Sequence, residues 1–297
     1  MPELPEVEVV RRGLAPAVSG ARVVAVTVHD ERALTRHHGS AADFEAALTG
    51  KTLLSAVRRG KFLWMPLAGR TQALIGHLGM SGQILVRESG APALRFERIR
   101  LDLEHPTGQE LAVVFADQRT FGSLAIDALL PTPDGAPGGF GDSAAAVPGQ
   151  VAHIARDVLD PAFDDDAFRA ALSRKDSAVK RVLLDQGVVS GIGNIYADES
   201  LWAARIHPTT PARALATRAV HRLLAEVRAV LTRSLAEGGT TFDMQYVNVN
   251  GQAGYFSRQL RVYGLAGRPC GRCGTPIVRE KFMNRSSHFC PRCQRKR

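Results

Sequence analysis

The sequence predicts an α+β protein of more than one domain: a short N-terminal helix and a β-sandwich, then a helical region closing in a four-cysteine module. Three observations carry this reading. Between about residues 22 and 126 lie short apolar runs broken by Gly and polar residues, several of which alternate with period two. After residue 149 the apolar residues recur at helical spacing instead. All four cysteines lie within residues 258–297.

Residues 4–14 read as a helix with Leu4, Val7, Val10 and Leu14 near one face. Pro5 suits its first turn, Glu6 and Glu8 its positive end, and Arg11 and Arg12 its negative end. Pro2 and Glu3 precede the helix and are left without a structural role. The strand-like runs are "RVVAVTV", "KFLWMPL", "QALIGHLG", "GQILV", "IRLDLE" and "ELAVVFA". Residues 131–149 hold four Pro and five Gly and read as a flexible linker. Helices follow in "DDAFRAALSR", "SAVKRVLLDQ" and "NIYADESLWAARI". A longer one starts at Thr210-Pro211, with Ala216, Val220, Leu223, Val227, Leu231 and Leu235 on one face, and stops at Gly238-Gly239. The division expected is 1–130 for the β-sandwich, 131–149 for the linker, 150–257 for the helical domain with a polar, Gly-punctuated loop at 239–257, and 258–297 for the cysteine module.

A hydrophobic content of 45% with 23% charged residues describes an ordinary globular chain, and no apolar run approaches the ~18 residues of a membrane span. The acidic start is no secretory signal, so the chain reads as cytoplasmic. Residues 258–297 carry eleven Lys/Arg against one acid, Glu280, a balance of +10. The whole chain is +9, so the rest sums to −1. Charge so concentrated reads as a footprint for a polyanion, and a nucleoid-associated protein if that polyanion is DNA. Cys270, Cys273, Cys290 and Cys293 are spaced C-x2-C-x16-C-x2-C. That spacing suits one tetrahedral zinc ion better than two disulfides, which a cytosolic chain disfavours. Four thiolates leave no open coordination position, so the zinc is structural.

Two further features carry chemistry. If Met1 is trimmed, Pro2 becomes the N-terminus and its nitrogen a secondary amine. An α-amino group titrates near ~8 against about 10.4 for Lys, so more of it is nucleophilic at neutral pH. Attack on an aldehyde-level carbon would give an iminium, an electron sink suited to elimination at a sugar. Glu3 would be the adjacent acid or base. On its own, Pro2 also reads as a stiffener of the chain's start. In "QGVVSGIGNIYADESLW" (186–202), Gly191 and Gly193 frame a turn before a helix opening at Asn194. Such a turn admits a phosphate or simply joins two helices, and Lys175 and Lys180 nearby favour the phosphate.

Taken together these segments resemble the bacterial formamidopyrimidine-DNA glycosylase family. The resemblance rests on "PELPEVE", "RRGKFL" (58–63), "HLGMSG" (77–82), "DQRTFG" (117–122), "GIGNIYADESLW" (191–202), "NGQAGYFSRQLRVYG" (250–264) and the cysteine module, in order and nearly end to end. It implies a helix–two-turns–helix domain, a zinc finger binding one structural Zn2+, and a bifunctional glycosylase/AP lyase of base excision repair. By resemblance Pro2 is the nucleophile forming a Schiff base, Glu3 its acid/base partner, Lys61 the proton donor in β-elimination, and Arg285 the finger arginine assisting δ-elimination. Met80, Arg119 and Phe121 resemble the trio that fills the hole left by a flipped nucleotide. His77, Lys175, Lys180 and Asn194 resemble DNA-backbone contacts. The implied partner is double-stranded DNA with oxidised purines such as 8-oxoguanine and formamidopyrimidines, lying between the β-domain and the helical, zinc-bearing domain. The implied state is a monomer with no membrane association.

"PELPEVE" and the Met/Arg/Phe trio differ from the endonuclease VIII type, which begins "PEGPEI". The chain departs from the family in four places. Phe96 stands where many members have a DNA-contacting His, with Arg98 as the candidate replacement. "DQRTFG" replaces "DPRRFG", Leu265 stands where an Arg is common, and the 131–149 segment is longer than usual.

Overall fold

The computed structural model describes residues 2–240 and 256–296. Met1 and most of the 239–257 loop lie outside the described residues. The chain forms two compact units. Of the described residues, the first runs to His153 and takes in Gly238–Thr240, and the second comprises Ile154–Glu237 and the residues from Phe256 onward.

The first unit opens with α1 (Leu4–Val18) and continues through β1 (Arg22–Val28), α2 (Ala41–Leu48), β2 (Val57–Arg59), β3 (Phe62–Pro66), β4 (Gln72–His77), β5 (Gly82–Glu88), β6 (Glu97–Glu104), β7 (Glu110–Asp117), β8 (Ser123–Pro131) and β9 (Ala146–Pro148). The strands form two antiparallel sheets, ordered β1-β6-β7-β5 and β2-β3-β4-β8-β9. One core joins them, built from alternate residues such as Leu63, Met65, Leu74, Ile99, Leu101, Leu103, Val113, Phe115 and Leu124. Val7, Val10, Leu14 and Val18 of α1 enter the same core. Their burial carries the helix through Pro16, past the end expected at residue 14. The sequence reading missed α2, which Ser40 and Asp43 start with a capping box.

The flexible linker expected at 131–149 is a correction. Its end forms β9, pairing with β8 as the fifth strand of the sheet. Its middle lies against β2: Arg58 and Phe140 exchange two backbone hydrogen bonds of 2.9 Å. The glycines serve close approach, since a Cβ on Gly139 would sit 2.3 Å from the Arg58 carbonyl oxygen. The units divide instead at His153/Ile154.

The second unit holds α3 (Asp165–Ser173), α4 (Val179–Leu183), α5 (Asn194–Ala203), α6 (Thr217–Ala236) and the hairpin β10 (Val278–Phe282) and β11 (Arg285–Phe289). α6 buries Val220, Leu223, Leu224, Val227, Val230 and Leu231 along one face. It begins at Thr217, not at Thr210-Pro211. The earlier residues are tied to the start of α4, where Val179 N–H donates to the Thr210 carbonyl at 2.8 Å and Ala212 N–H to that of Ser177 at 2.9 Å. Among the described residues no helix is long and apolar enough to cross a membrane.

Candidate active site

Pro2 is buried, and Glu3 (2% exposed) is the N-cap of α1. Glu6 secures this end. Its carboxylate accepts the Glu3 N–H at 2.8 Å and the Thr240 N–H at 2.7 Å. One acid of "PELPEVE", Glu6, thus fastens the backbone at Glu3 and Thr240.

Lys61 sits in the two-residue turn between β2 and β3, and one side chain joins that turn to α1. Arg58, 1% exposed, donates through Nε to Glu8 Oε2 at 2.9 Å and through one terminal nitrogen to the Gly60 carbonyl at 3.3 Å. Phe140 covers the guanidinium at 5.1 Å. Burial raises the Glu8 pKa, but Arg11 and Arg58 outweigh burial and hold it at about 2. An acid depressed in the folded state stabilises above its unfolded pKa, and the stabilisation fades as pH falls through the folded value. The Glu8 contribution, on the order of 3 kcal/mol, is therefore present above pH 4.5 and lost towards pH 2. Glu8→Gln should lower unfolding free energy by about 3 kcal/mol at pH 7. It should also flatten the acid limb of a denaturation-against-pH curve. Urea melts from pH 2 to 7 check this; an unchanged acid limb contradicts it.

His77 ends β4, opposite Phe62 in the register. Burial, aided by the charges of Arg36 and Lys61, lowers its pKa to about 4. The ring is neutral at physiological pH, and Nδ1 accepts the Gly79 N–H at 3.2 Å. Nε2 therefore carries the proton and can donate it.

Met80 (40% exposed) and Phe121 (57% exposed) are large apolar side chains left in solvent. Arg119 is exposed, its guanidinium 5.3 Å from the Phe121 ring. Their two loops are locked together. Gly79 has φ +60°, and a Cβ there would lie 2.4 Å from the Phe121 carbonyl carbon. Asp117, 1% exposed, accepts the N–H groups of Arg119 (3.0 Å), Phe121 (2.9 Å) and Gly122 (2.7 Å), and the Ser81 hydroxyl. Thr120, between Arg119 and Phe121, is held at φ +53°, a costly conformation for a β-branched residue. Asp117 stood inside a quoted motif and was given no role; its cue was an acid two residues ahead of an exposed Arg. Arg98 donates to Asp30 Oδ2 and to the Asp117 carbonyl, both at 2.8 Å, so its guanidinium is engaged within the sheet.

In the second unit, Arg285 opens β11 and lines a groove of about 680 Å³ with Lys175, Ser177, Arg181, Met283 and Asn284. Lys175 also pairs with Asp185 at 3.1 Å. The next residue, Ser286, docks the hairpin. Its carbonyl accepts Asn194 Nδ2 at 3.0 Å and Lys180 Nζ at 2.9 Å. Lys180 departs from its expected place on the DNA backbone. It is 0% exposed, 2.7 Å from Asp198 Oδ1 and 2.8 Å from the Ser287 hydroxyl, while Asp198 Oδ2 accepts the His288 N–H. A fully buried, paired ammonium fastens the hairpin to α4 and α5 and reaches no phosphate in this arrangement. Glu199 similarly accepts the N–H groups of Arg261, Val262 and Tyr263.

The four cysteine sulfurs lie within 4.8 Å of one another. A tetrahedral ion with bonds of about 2.3 Å sets its sulfurs about 3.8 Å apart, so the cluster fits zinc. Without a cation the thiols conflict. Hydrogen bonding at Thr275 brings Cys273 down to about 6, whereas burial and the neighbouring sulfurs push Cys293 up to about 12. A dication resolves this by stabilising all four thiolates. Trp202 Nε1–H points at Cys270 Sγ at 3.4 Å. Cys270, Cys273, Cys290 and Cys293 hold one structural zinc ion.

Comparison with known proteins agrees along the whole chain. Residues 1–124 match the formamidopyrimidine-DNA glycosylase N-terminal domain, 154–245 the H2TH domain of the same enzymes, and 267–295 a zinc finger found in FPG and IleRS. The formamidopyrimidine-DNA glycosylase of Leifsonia xyli is 64% identical over 99% of this chain and 100% of its own. That of Thermobifida fusca is 54% identical over 99% of this chain and 97% of its own. A crystal structure of Lactococcus lactis Fpg with abasic-site DNA superposes with a TM-score of 0.81 at 30% identity, covering 99% of this chain and 100% of that one. A complex of the Lactococcus lactis protein with Fapy-dG DNA gives the same TM-score, identity and coverage.

Proposed function

The chain belongs to the formamidopyrimidine-DNA glycosylase family, the DNA-repair glycosylases, and from that premise we propose that it excises oxidised purines and then cuts the strand as an AP lyase. The substrates are 8-oxoguanine and formamidopyrimidines in duplex DNA, and the enzyme acts as a monomer. Pro2, freed of Met1, attacks C1′ of the damaged nucleotide, and the base departs with the glycosidic electron pair. Glu3 protonates the sugar ring oxygen, and opening of the ring leaves an iminium on the Pro2 nitrogen. The iminium acidifies C2′. Loss of that proton expels the 3′ phosphate in β-elimination, with Lys61 donating a proton to the departing group. Arg285 grips the phosphate that leaves in δ-elimination.

The observation that carries this reading is the pair of locked loops presenting Met80 and Phe121 to solvent. Burying neither in the core has a hydrophobic cost that insertion into a base stack recovers. Arg119 offers paired N–H donors to the orphaned opposite base, which suits the acceptors of cytosine. His77 offers a neutral N–H to a phosphate. Lys175 and Arg285, sharing one groove, offer charge, and Asn194, whose Nδ2 gives one N–H to the Ser286 carbonyl, has a second amide N–H to donate. Duplexes containing 8-oxoguanine or thymine glycol test the substrate. Faster cutting at 8-oxoguanine is expected, and preferential cutting at thymine glycol would transfer the chain to the pyrimidine-directed type.

A further inference from the structure

One cavity of the second unit lies away from every residue used above for catalysis or phosphate grip. It measures about 1310 Å³ and is lined by Arg205, Arg218, Arg222, Arg272, Arg292 and Arg295, with Glu226 as its acid. Asn194 and the Ser286 carbonyl mark one end of α5; this cavity opens at the other, beyond Ala203. Ten residues at a rise of 1.5 Å separate the ends by about 15 Å.

Two of the six arginines have a structural explanation. Arg222 donates to the Ala204 carbonyl at 2.9 Å and Arg272 to that of Trp202 at 3.0 Å, neutralising the negative end of α5. The other four are exposed and form no ion pair among the described residues. Arg205 is informative for a second reason. Its N–H donates to the Trp202 carbonyl and that of Ile206 to the Leu201 carbonyl, which closes α5 in a Schellman turn. Arg205 holds the left-handed position of that turn at φ +54°, where glycine is free of strain. The chain thus keeps a guanidinium at a strained position facing a cavity already rich in cations.

We propose that this cavity is a second polyanion site that takes the phosphodiester backbone of another stretch of duplex DNA. Unpaired arginines at exposed positions suit phosphates, which they contact at little desolvation cost. Alanine is the commonest apolar residue of the lining (Ala203, Ala214, Ala216, Ala219), joined by Ile206 and Leu215, with no Met, Phe, Tyr or Trp side chain for a protein partner's anchor to pack on. No Phe, Tyr or Trp lines it, so unpaired bases find nothing to stack on. A site at each end of α5 lets the enzyme touch a neighbouring segment while it still holds the first. That would speed transfer between segments during the search for lesions.

The test starts from full-length protein saturated with an unlabelled short duplex carrying a tetrahydrofuran abasic analogue. A fluorescein-labelled, lesion-free duplex is then titrated in at low salt and followed by anisotropy. Wild type should bind this second duplex. The triple variant Arg205→Gly, Arg218→Glu, Arg292→Glu should bind it at least about tenfold more weakly, with the salt slope reduced by about 3. Cutting of a lesion in a short duplex should be unchanged in the triple variant, which separates failure of this site from failure of the catalytic reading. Arg205→Gly alone should weaken second-duplex binding while Tm stays level or rises, because it removes charge and strain together. Absence of a second bound duplex on wild type overturns the proposal, as does equal binding by the triple variant. Binding of labelled poly-glutamate, but not duplex, to the saturated wild type would also overturn it, in favour of an acidic protein partner.

Discussion

Asp117→Ala is expected to disable base excision and to destabilise the β-unit by about 3–9 kcal/mol, since three backbone N–H groups lose their acceptor at about 1–3 kcal/mol each. Asp117 is 1% exposed, so water cannot readily take its place. Its two oxygens hold the "DQRTFG" loop internally and reach the neighbouring loop through Ser81. Without them nothing offsets the strain at Thr120, and the loop relaxes. Met80, Arg119 and Phe121 then lose the fixed spacing that their proposed entry into a base stack requires. Excision of 8-oxoguanine should fall by at least about a hundredfold, the scale on which misplacement of positioning groups slows catalysis. Asp117→Asn should fall between, because an amide keeps one acceptor and turns two donors towards N–H groups. Denaturant melts and single-turnover excision measure both effects. An alanine variant with wild-type stability and rate would remove Asp117 from the account.

Zinc removal should be as severe at the other unit. A structural zinc contributes roughly 10–16 kcal/mol in small finger peptides, so the cysteine module cannot keep its shape without it. The hairpin carrying Arg285 and the Ser286 carbonyl grows from that module. Chelation should therefore abolish tight DNA binding and strand cutting, with little loss of helical circular dichroism, since α6 packs through its own apolar face. Re-addition of zinc should restore both. Unchanged affinity after metal analysis shows full removal would contradict this role for the finger.

Much of the fold was legible because the governing signals are local. Short apolar runs marked all four strands of the β1-β6-β7-β5 sheet and β3 and β4 of the other, and paired cysteines at zinc spacing marked the metal centre. Misreadings arose where tertiary contacts overrode local signals. The glycines of 131–149 resembled a flexible tether, yet Gly139 is small because the Arg58 backbone lies against it. Pro211 resembled a helix start, yet its neighbours are bonded to α4. Lys180 looked like a phosphate ligand because sequence cannot reveal Asp198 folded over it. The candidate site was legible as chemistry and illegible as support. Pro2 and Glu3 stand out as an amine and a neighbouring acid, and Lys61 and Arg285 through the resemblance alone, whereas Glu6, Arg58 and Asp198 act through partners far along the chain and Asp117 through a loop conformation that the sequence does not display.

All of this depends on the Pro2 nitrogen. The most direct measurement is borohydride reduction of the enzyme mixed with an 8-oxoguanine duplex, then mass spectrometry of the proteolysed adduct. The account expects a stable protein–DNA conjugate with the sugar carbon bonded to the nitrogen of Pro2, in a chain lacking Met1. A conjugate through Lys61 or another lysine would contradict it, and so would full strand cleavage by protein whose terminus is acetylated or still carries Met1.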